Sequence, residues 1–145
     1  MTTIAEHLAE LDDAYDAYMT ELKKSGPVWE KKPAAAEGEE AWSARQVAEH
    51  VAGAATFFGA GLAFYIKEIQ GPERHQPEFA TAEAAVEGTP GAHSKLVEVV
   101  RQIPEDKLSL EIEAPQLGKN TVSGFVGIAA HHLRDHAQQL AALRG

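Results

Sequence analysis

The chain has 145 residues, the size of one domain, of which 44% are hydrophobic and 24% charged, as in ordinary globular proteins. Its 22 Asp and Glu outnumber its 13 Lys and Arg, and the net charge of −9 argues against binding to nucleic acids or to anionic membranes. The absence of cysteine excludes disulfides, thiolate metal ligands and a cysteine nucleophile.

The first predicted helix runs from about Thr3 to Lys24. Its start, MTTIAEHLAELDD, is acidic and amphipathic, unlike the cationic and apolar start of a signal peptide. Thr3 and Glu6 have the spacing of a capping box, and SGP at 25–27 ends the helix. Apolar residues recur at helical spacing: Ile4, Leu8, Leu11, Tyr15, Tyr18 and Leu22. The next stretch, VWEKKPAAAEGEEA, has no periodicity and indicates a loop anchored by Trp29.

The second predicted helix begins after Trp42, with Ser43 and Gln46 as a second capping box and Trp42 in the staple position. An apolar face then extends to GP at 71–72: Val47, Val51, Ala54, Phe58, Leu62, Tyr65, Ile66 and Ile69. His50 lies on this face, and we expect its neighbour Glu49 to be solvated. No stretch of the chain approaches the roughly 20 apolar residues of a membrane span. We expect a cytoplasmic protein with one domain over residues 1–145.

The third predicted helix is interrupted. Residues 81–87 predict a turn or two, GTPG at 88–91 breaks or kinks it, and a cleaner helix runs from about Pro90 to Ile103. LSLEIEA at 108–114 alternates like a strand but has no obvious partner. The fourth helix runs from about Thr121 to Leu143. Four helices, two of them more than twenty residues long, predict an all-α four-helix bundle.

The last helix carries three histidines in HHLRDHAQQL at 131–140. Residues four apart share one helix face, so His132 and His136 fall on the apolar face between Ile128 and Leu140. His131 falls on the opposite side, where it pairs with Asp135. Together with His50, two helices therefore direct three histidines inward.

Two interpretations of these inward histidines stay open on the residues alone. Imidazoles one helical turn apart can share a metal ion, and a metal would offset the cost of burying three of them together. A histidine on an apolar face is, however, more often a satisfied core residue. Gln139 is either a hydrogen-bond partner of a ligand imidazole or a partly exposed residue. Tyr15, Tyr18 and Phe58 line either a pocket or the core, and we expect the ungrouped histidines to lie at the surface: His7, His75 and His93.

The chain resembles the DinB-like (DinB/YfiT) superfamily in two motifs. The first is WSARQVAEHV at 42–51, and the second is TVSGFVGIAAHHLRDHAQQL at 121–140, with its His-x-x-x-His-x-x-Gln pattern. The resemblance covers nearly the whole chain and implies a four-helix bundle of up-down-down-up order. It also implies a divalent transition metal (Zn, Ni, Fe or Mn) held by His50, His132 and His136. The GTPG interruption departs from the smoother family pattern.

The resemblance further implies a metal-dependent enzyme that acts on a small-molecule substrate. Members of the superfamily include transferases and isomerases that use low-molecular-weight thiols such as bacillithiol, mycothiol or glutathione. We therefore expect a thiol S-transferase, and a chain without cysteine suits a nucleophile that arrives with the cosubstrate. The alternatives are a metal-dependent hydrolase and a non-catalytic, stress-associated helical bundle. A homodimer is expected from the resemblance alone, because no feature of the sequence fixes the oligomeric state.

Overall fold

A computed structural model describes residues 2–34, 37–115 and 117–145. Four long helices dominate these residues, and the expected all-α fold is confirmed. The helices are α1 (Ile4–Leu22), α2 (Ala44–Ile66), α3 (Ala82–Gln102) and α4 (Val122–Leu143). Short 3-10 turns occur at Gly26–Val28, Gly38–Ala41 and Glu105–Lys107. A small antiparallel hairpin, β1 (Glu111–Ala114) and β2 (Gly118–Thr121), precedes α4.

Each of the four helices begins at a hydroxyl side chain. Thr3 and Ser43 form complete capping boxes, as the sequence predicts, while Thr81 and Thr121 accept a backbone hydrogen bond from the third residue that follows. Such caps satisfy amide groups that the first helical turn leaves without partners. Because the caps fix where each helix starts, they also fix which side chains face inward.

The core is continuous and takes side chains from all four helices. Fully buried residues include Leu11, Tyr18, Leu62, Val100 and Leu140. α1 packs mainly against α4, and α2 packs mainly against α3. The up-down-down-up order stays a prediction, and two contacts support it: His7 meets Ser123 near the starts of α1 and α4, and Glu21 meets Arg144 at their ends.

The predicted break in the third helix is wrong, because α3 runs unbroken through GTPG. The buried positions before and after this motif form one helical stripe: Ala82, Ala85, Thr89, His93, Leu96 and Val100. Pro90 and Gly91 lie on the exposed side, so burial of the stripe offsets the roughly 3 kcal/mol that a proline costs inside a helix. Gly88 is required by packing, because a Cβ atom there would lie 2.7 Å from the Phe79 ring.

The strand-like segment does have a partner, contrary to the sequence-based expectation. β1 pairs with β2 in register Ile112 to Asn120, and Ile112 and Ala114 point into the core. Gly118 has a φ of 71°, which favours glycine where the chain turns back into β2. The Tyr65 hydroxyl donates to the Glu113 carbonyl at 2.8 Å and thereby ties α2 to the hairpin. The hairpin thus belongs to the packed structure.

α2 is the exception to the expectation that no segment is apolar enough for a membrane span. By length and composition, it is the one helix among the described residues that could cross a membrane. Half of its most apolar window is buried inside the protein, however, and core helices of soluble proteins pass the same test. The apolarity of α2 is therefore weak evidence for a membrane span.

Candidate metal centre

α2 presents His50 near its start. The Ser43 and Gln46 capping box sets the first turn, and His50 follows one further turn along the same face as Val47. Its imidazole is half-buried, and the Trp42 ring packs beside it with a centroid distance of 4.9 Å. The start of α2 therefore places this imidazole between the core and the surface.

α4 presents His132 and His136 from consecutive turns. His136 is buried and His132 is half-buried, whereas His131 is exposed. The His131 Nε2 atom lies 3.2 Å from a carboxylate oxygen of Asp135, which is exposed as well. The prediction from helical phase, with two histidines inside and one outside, is confirmed.

The three inward imidazoles converge through their Nε2 atoms. The His132 Nε2 atom lies 2.8 Å from that of His50 and 3.1 Å from that of His136. The candidate ligand atoms of all three residues lie within 4.8 Å of one another. No fourth histidine and no carboxylate joins this cluster among the residues described here. The structure thus assembles the set that the sequence singles out.

The hydrogen bonds of Gln139 define which ring nitrogen of His136 carries the proton and which carries the lone pair. The Gln139 Nε2 atom lies 2.6 Å from the Glu39 carbonyl oxygen, which can only accept. The Gln139 carbonyl oxygen therefore faces the Nδ1 atom of His136, at 2.7 Å, and accepts from it. A neutral His136 with a proton on Nδ1 has a lone pair on Nε2, and this lone pair points into the cluster.

The Nε2 atoms of the cluster have too few N–H protons to make a hydrogen bond at each of their close contacts. A neutral imidazole nitrogen carries either a proton or a lone pair. The His132 Nε2 atom would have to serve the contacts to both His50 and His136 with one proton or one lone pair. A cation removes this conflict, because three lone pairs can then point at one centre. Two nitrogens about 2.1 Å from one ion are about 3.0 Å apart at right angles and about 3.4 Å apart in a tetrahedral site, so the observed spacings are closer to octahedral coordination.

Burial keeps the imidazoles of His50 and His132 in the form that binds metal. Desolvation, with smaller contributions from His136 and His50, lowers the pKa of His132 to about 3. Desolvation is also the main cause of the lowered pKa of His50; His136 adds to the effect and the Glu39 carboxylate opposes it. Metal ligation requires neutral imidazole. Both side chains therefore meet this requirement at neutral pH.

A surface cleft and an inner cavity border the cluster. A surface cleft exposes His132 and His136 and is lined by both acidic and basic residues: Lys31, Glu39, Glu40, Asp135 and Arg144. On the inner side, His132 borders an apolar cavity with walls from all four helices, among them Tyr15, Phe58 and Leu96. Tyr15 and Phe58 therefore do line a pocket, whereas Tyr18 is buried in the core. A small molecule could reach the cluster from the cleft.

Two of the three histidines expected at the surface are buried. His7 lies on a buried stripe of α1 with Leu11 and bonds the Ser123 hydroxyl at 2.8 Å. His93 stacks on Tyr15 with a centroid distance of 3.9 Å. Both lie four residues from other buried residues of the same helix, so the helical periodicity of the sequence could have predicted their burial. His75 is exposed, as predicted.

Glu49 is bonded, not freely solvated as the sequence suggests. Its carboxylate accepts from the Phe79 backbone N–H at 2.7 Å and from the Arg45 guanidinium at 3.1 Å. It therefore fixes the segment before α3 against α2, one residue away from His50. The Trp29 ring, which donates to the Phe79 carbonyl at 3.2 Å, is buried as the predicted anchor of its loop. Neither residue contributes an atom to the histidine cluster.

Comparison with known proteins identifies one family. The family model described as the DinB superfamily matches residues 1–140, which is nearly the whole chain. No curated protein matches the chain significantly, and no solved structure does either. The match covers both helices that carry the clustered histidines.

Proposed function

The chain belongs to the DinB superfamily, and on that premise we propose that it is a metal-dependent enzyme. In this proposal His50, His132 and His136 bind one divalent transition metal (Zn, Ni, Fe or Mn) through their Nε2 atoms. The observation that carries the proposal is the convergence of three Nε2 atoms, in which His132 Nε2 cannot make a separate hydrogen bond to each of the other two. A metal bound by only three protein ligands keeps positions open for water or substrate.

The residues around the cluster suit a catalytic site better than a structural one. Structural metal sites are closed by four protein ligands, whereas this cluster has three and lies against a cleft. The aromatic rings of Trp42 and Phe58 flank the imidazoles of His50 and His132. The core itself packs through apolar contacts of all four helices. We therefore expect the fold to persist without a metal.

The reaction we propose is S-transfer from a low-molecular-weight thiol. A divalent ion lowers the pKa of a bound thiol and so supplies a thiolate at neutral pH. The sulfur then forms a bond to an electrophilic carbon of the acceptor, and the displaced group leaves with its electron pair. The thiol proton passes to solvent. The chain contains no cysteine of its own, so the sulfur has to come from the cosubstrate.

Metal analysis of matched variants tests the metal site. Purified wild-type protein should bind one equivalent of a divalent metal, and His132→Ala should lose most of it because the central imidazole is gone. His131→Ala is the control, since it removes an exposed imidazole from the adjacent position. Equal metal content in His132→Ala and the wild type would refute the assignment.

A cosubstrate screen tests the reaction. Metal-loaded protein is incubated with glutathione, mycothiol or bacillithiol and a set of electrophilic acceptors, and thioether formation is followed by mass spectrometry. The proposal predicts a thioether that depends on both the thiol and the metal, and that His132→Ala does not form. Hydrolysis of acceptor esters or amides without any thiol requirement would contradict S-transfer and identify a metal-dependent hydrolase.

A further inference from the structure

A chain of two hydrogen bonds links the segment before α2 to the histidine cluster. It runs from the Glu39 carbonyl oxygen to the Gln139 amide, at 2.6 Å, and from the Gln139 carbonyl oxygen to His136 Nδ1, at 2.7 Å. Glu39 belongs to the 3-10 turn Gly38–Ala41, which precedes α2. Each bond has only one possible direction, because a backbone carbonyl has no proton to donate.

We infer that Gln139 is a positioning residue that sets the tautomer of His136 and that the Glu39 carbonyl holds Gln139 in the required orientation. The inference rests on the proposed metal site, and it adds the residues that prepare one ligand for binding. A free amide could rotate by half a turn and present its NH2 group to His136. The Glu39 carbonyl prevents this rotation, because an inverted amide would place two oxygen atoms 2.6 Å apart.

The consequence of this orientation is a free lone pair at the atom that faces the cluster. With Nδ1 protonated, Nε2 of His136 is unprotonated and directed at the Nε2 atom of His132. Without the Gln139 oxygen, the proton could move to Nε2 and bond His132, and the lone pair needed for a metal would be lost. Partners on the second nitrogen of a ligand histidine fix both its tautomer and its orientation.

The segment 38–42 therefore acts on the site at two points. The Glu39 carbonyl orients Gln139, and three residues later the Trp42 ring packs beside His50 and lies nearly parallel to the His136 ring, at a centroid distance of 6.5 Å. The ring packs against the His50 imidazole, while the hydrogen bonds select the tautomer of His136. A turn that precedes α2 in sequence thus prepares a ligand that belongs to α4.

Nitrogen NMR of the metal-free protein tests the tautomer directly. At a pH above 7, long-range proton–nitrogen correlations of the imidazoles should show His136 protonated on Nδ1. In Gln139→Met, which has a similar shape but no amide, the proton should shift at least partly to Nε2. Wild-type His136 protonated on Nε2, or an unchanged tautomer in Gln139→Met, would overturn the inference.

Metal affinity provides the second readout. Gln139→Met should bind the same metal roughly 10- to 100-fold more weakly than the wild type, the usual effect of removing such a partner. Gln138→Met is the matched control, because the adjacent side chain is exposed and has no bond to the cluster. Equal affinity in Gln139→Met and the wild type would refute the role of Gln139 while leaving the metal site intact. A wild type that binds no metal would refute the proposed function, and the tautomer would still be decided by NMR.

Discussion

Replacing His132 by alanine in the metal-free protein should make folding less sensitive to acid. Burial lowers the pKa of His132 from 6.5 to about 3 in the folded protein. Below pH 6.5, His132 therefore binds a proton in the unfolded chain but not in the folded protein. The free energy of unfolding consequently decreases as the pH is lowered. One such group costs about 1.4 kcal/mol per pH unit, or roughly 2 kcal/mol between about pH 8 and pH 5.

The assay is urea unfolding of wild type and His132→Ala, followed by helical circular dichroism at both pH values with a chelator present. The comparison uses the change with pH for each protein, so a constant cost of truncating the side chain cancels. His75→Ala, which removes an exposed imidazole from the connection between α2 and α3, is the control for losing one histidine. The same acid-induced loss of stability in wild type and His132→Ala would refute the reasoning.

The other predictions concern the fold and the role of the metal. Gly88→Ala should be about 1–3 kcal/mol less stable than Gly91→Ala in thermal unfolding, because a Cβ at the first position meets the Phe79 ring and at the second meets open space; equal stabilities would contradict this packing. Tyr65→Phe should lose about 0.5–1.5 kcal/mol in urea unfolding, since it deletes the bond to the Glu113 carbonyl; no loss would show that the bond contributes nothing. Chelation should abolish activity and leave the helical circular dichroism unchanged; unfolding on chelation would make the metal structural.

The α4 part of the histidine cluster could be predicted because helical geometry alone decides it. Caps at Ser43 and Thr121 fix the helix starts, and the spacing of His132 and His136 then places both on one face. Whether His50 reaches them depends on how α2 packs against α4, which periodicity does not specify. The resemblance to a known family supplied that step, and the Nε2 distances agree with it.

The misjudged parts of the sequence share a physical cause, which is tertiary packing that overrides a local preference. Gly88 and Pro90 disfavour a helix locally, yet the stripe that includes His93 is buried on both sides of them and keeps α3 continuous. β2 has the sequence GKNT, which lacks apolar alternation, so β1 showed no partner. His7 is buried because α4 covers the side of α1 that carries it.

The second hydrogen-bond partner of Gln139 could not be predicted from the sequence, for a different reason. The motif suggested that Gln139 contacts a ligand imidazole, and the structure confirms the contact with His136. The partner on the other side of the amide is a backbone carbonyl in an irregular turn, at Glu39. Every residue has a backbone carbonyl oxygen, so the residue type at position 39 does not indicate this contact. Only the path of the chain places it there.

A crystal structure of metal-loaded protein, with anomalous scattering recorded at the absorption edge of the bound metal, is the decisive test of the three-histidine metal site. We expect one anomalous peak at about 2.0–2.2 Å from each of the Nε2 atoms of His50, His132 and His136. It also predicts coordination positions on the cleft side that no protein atom fills. A peak on His131, a peak that involves only one or two of the three imidazoles, or the absence of any peak at saturating metal would contradict it.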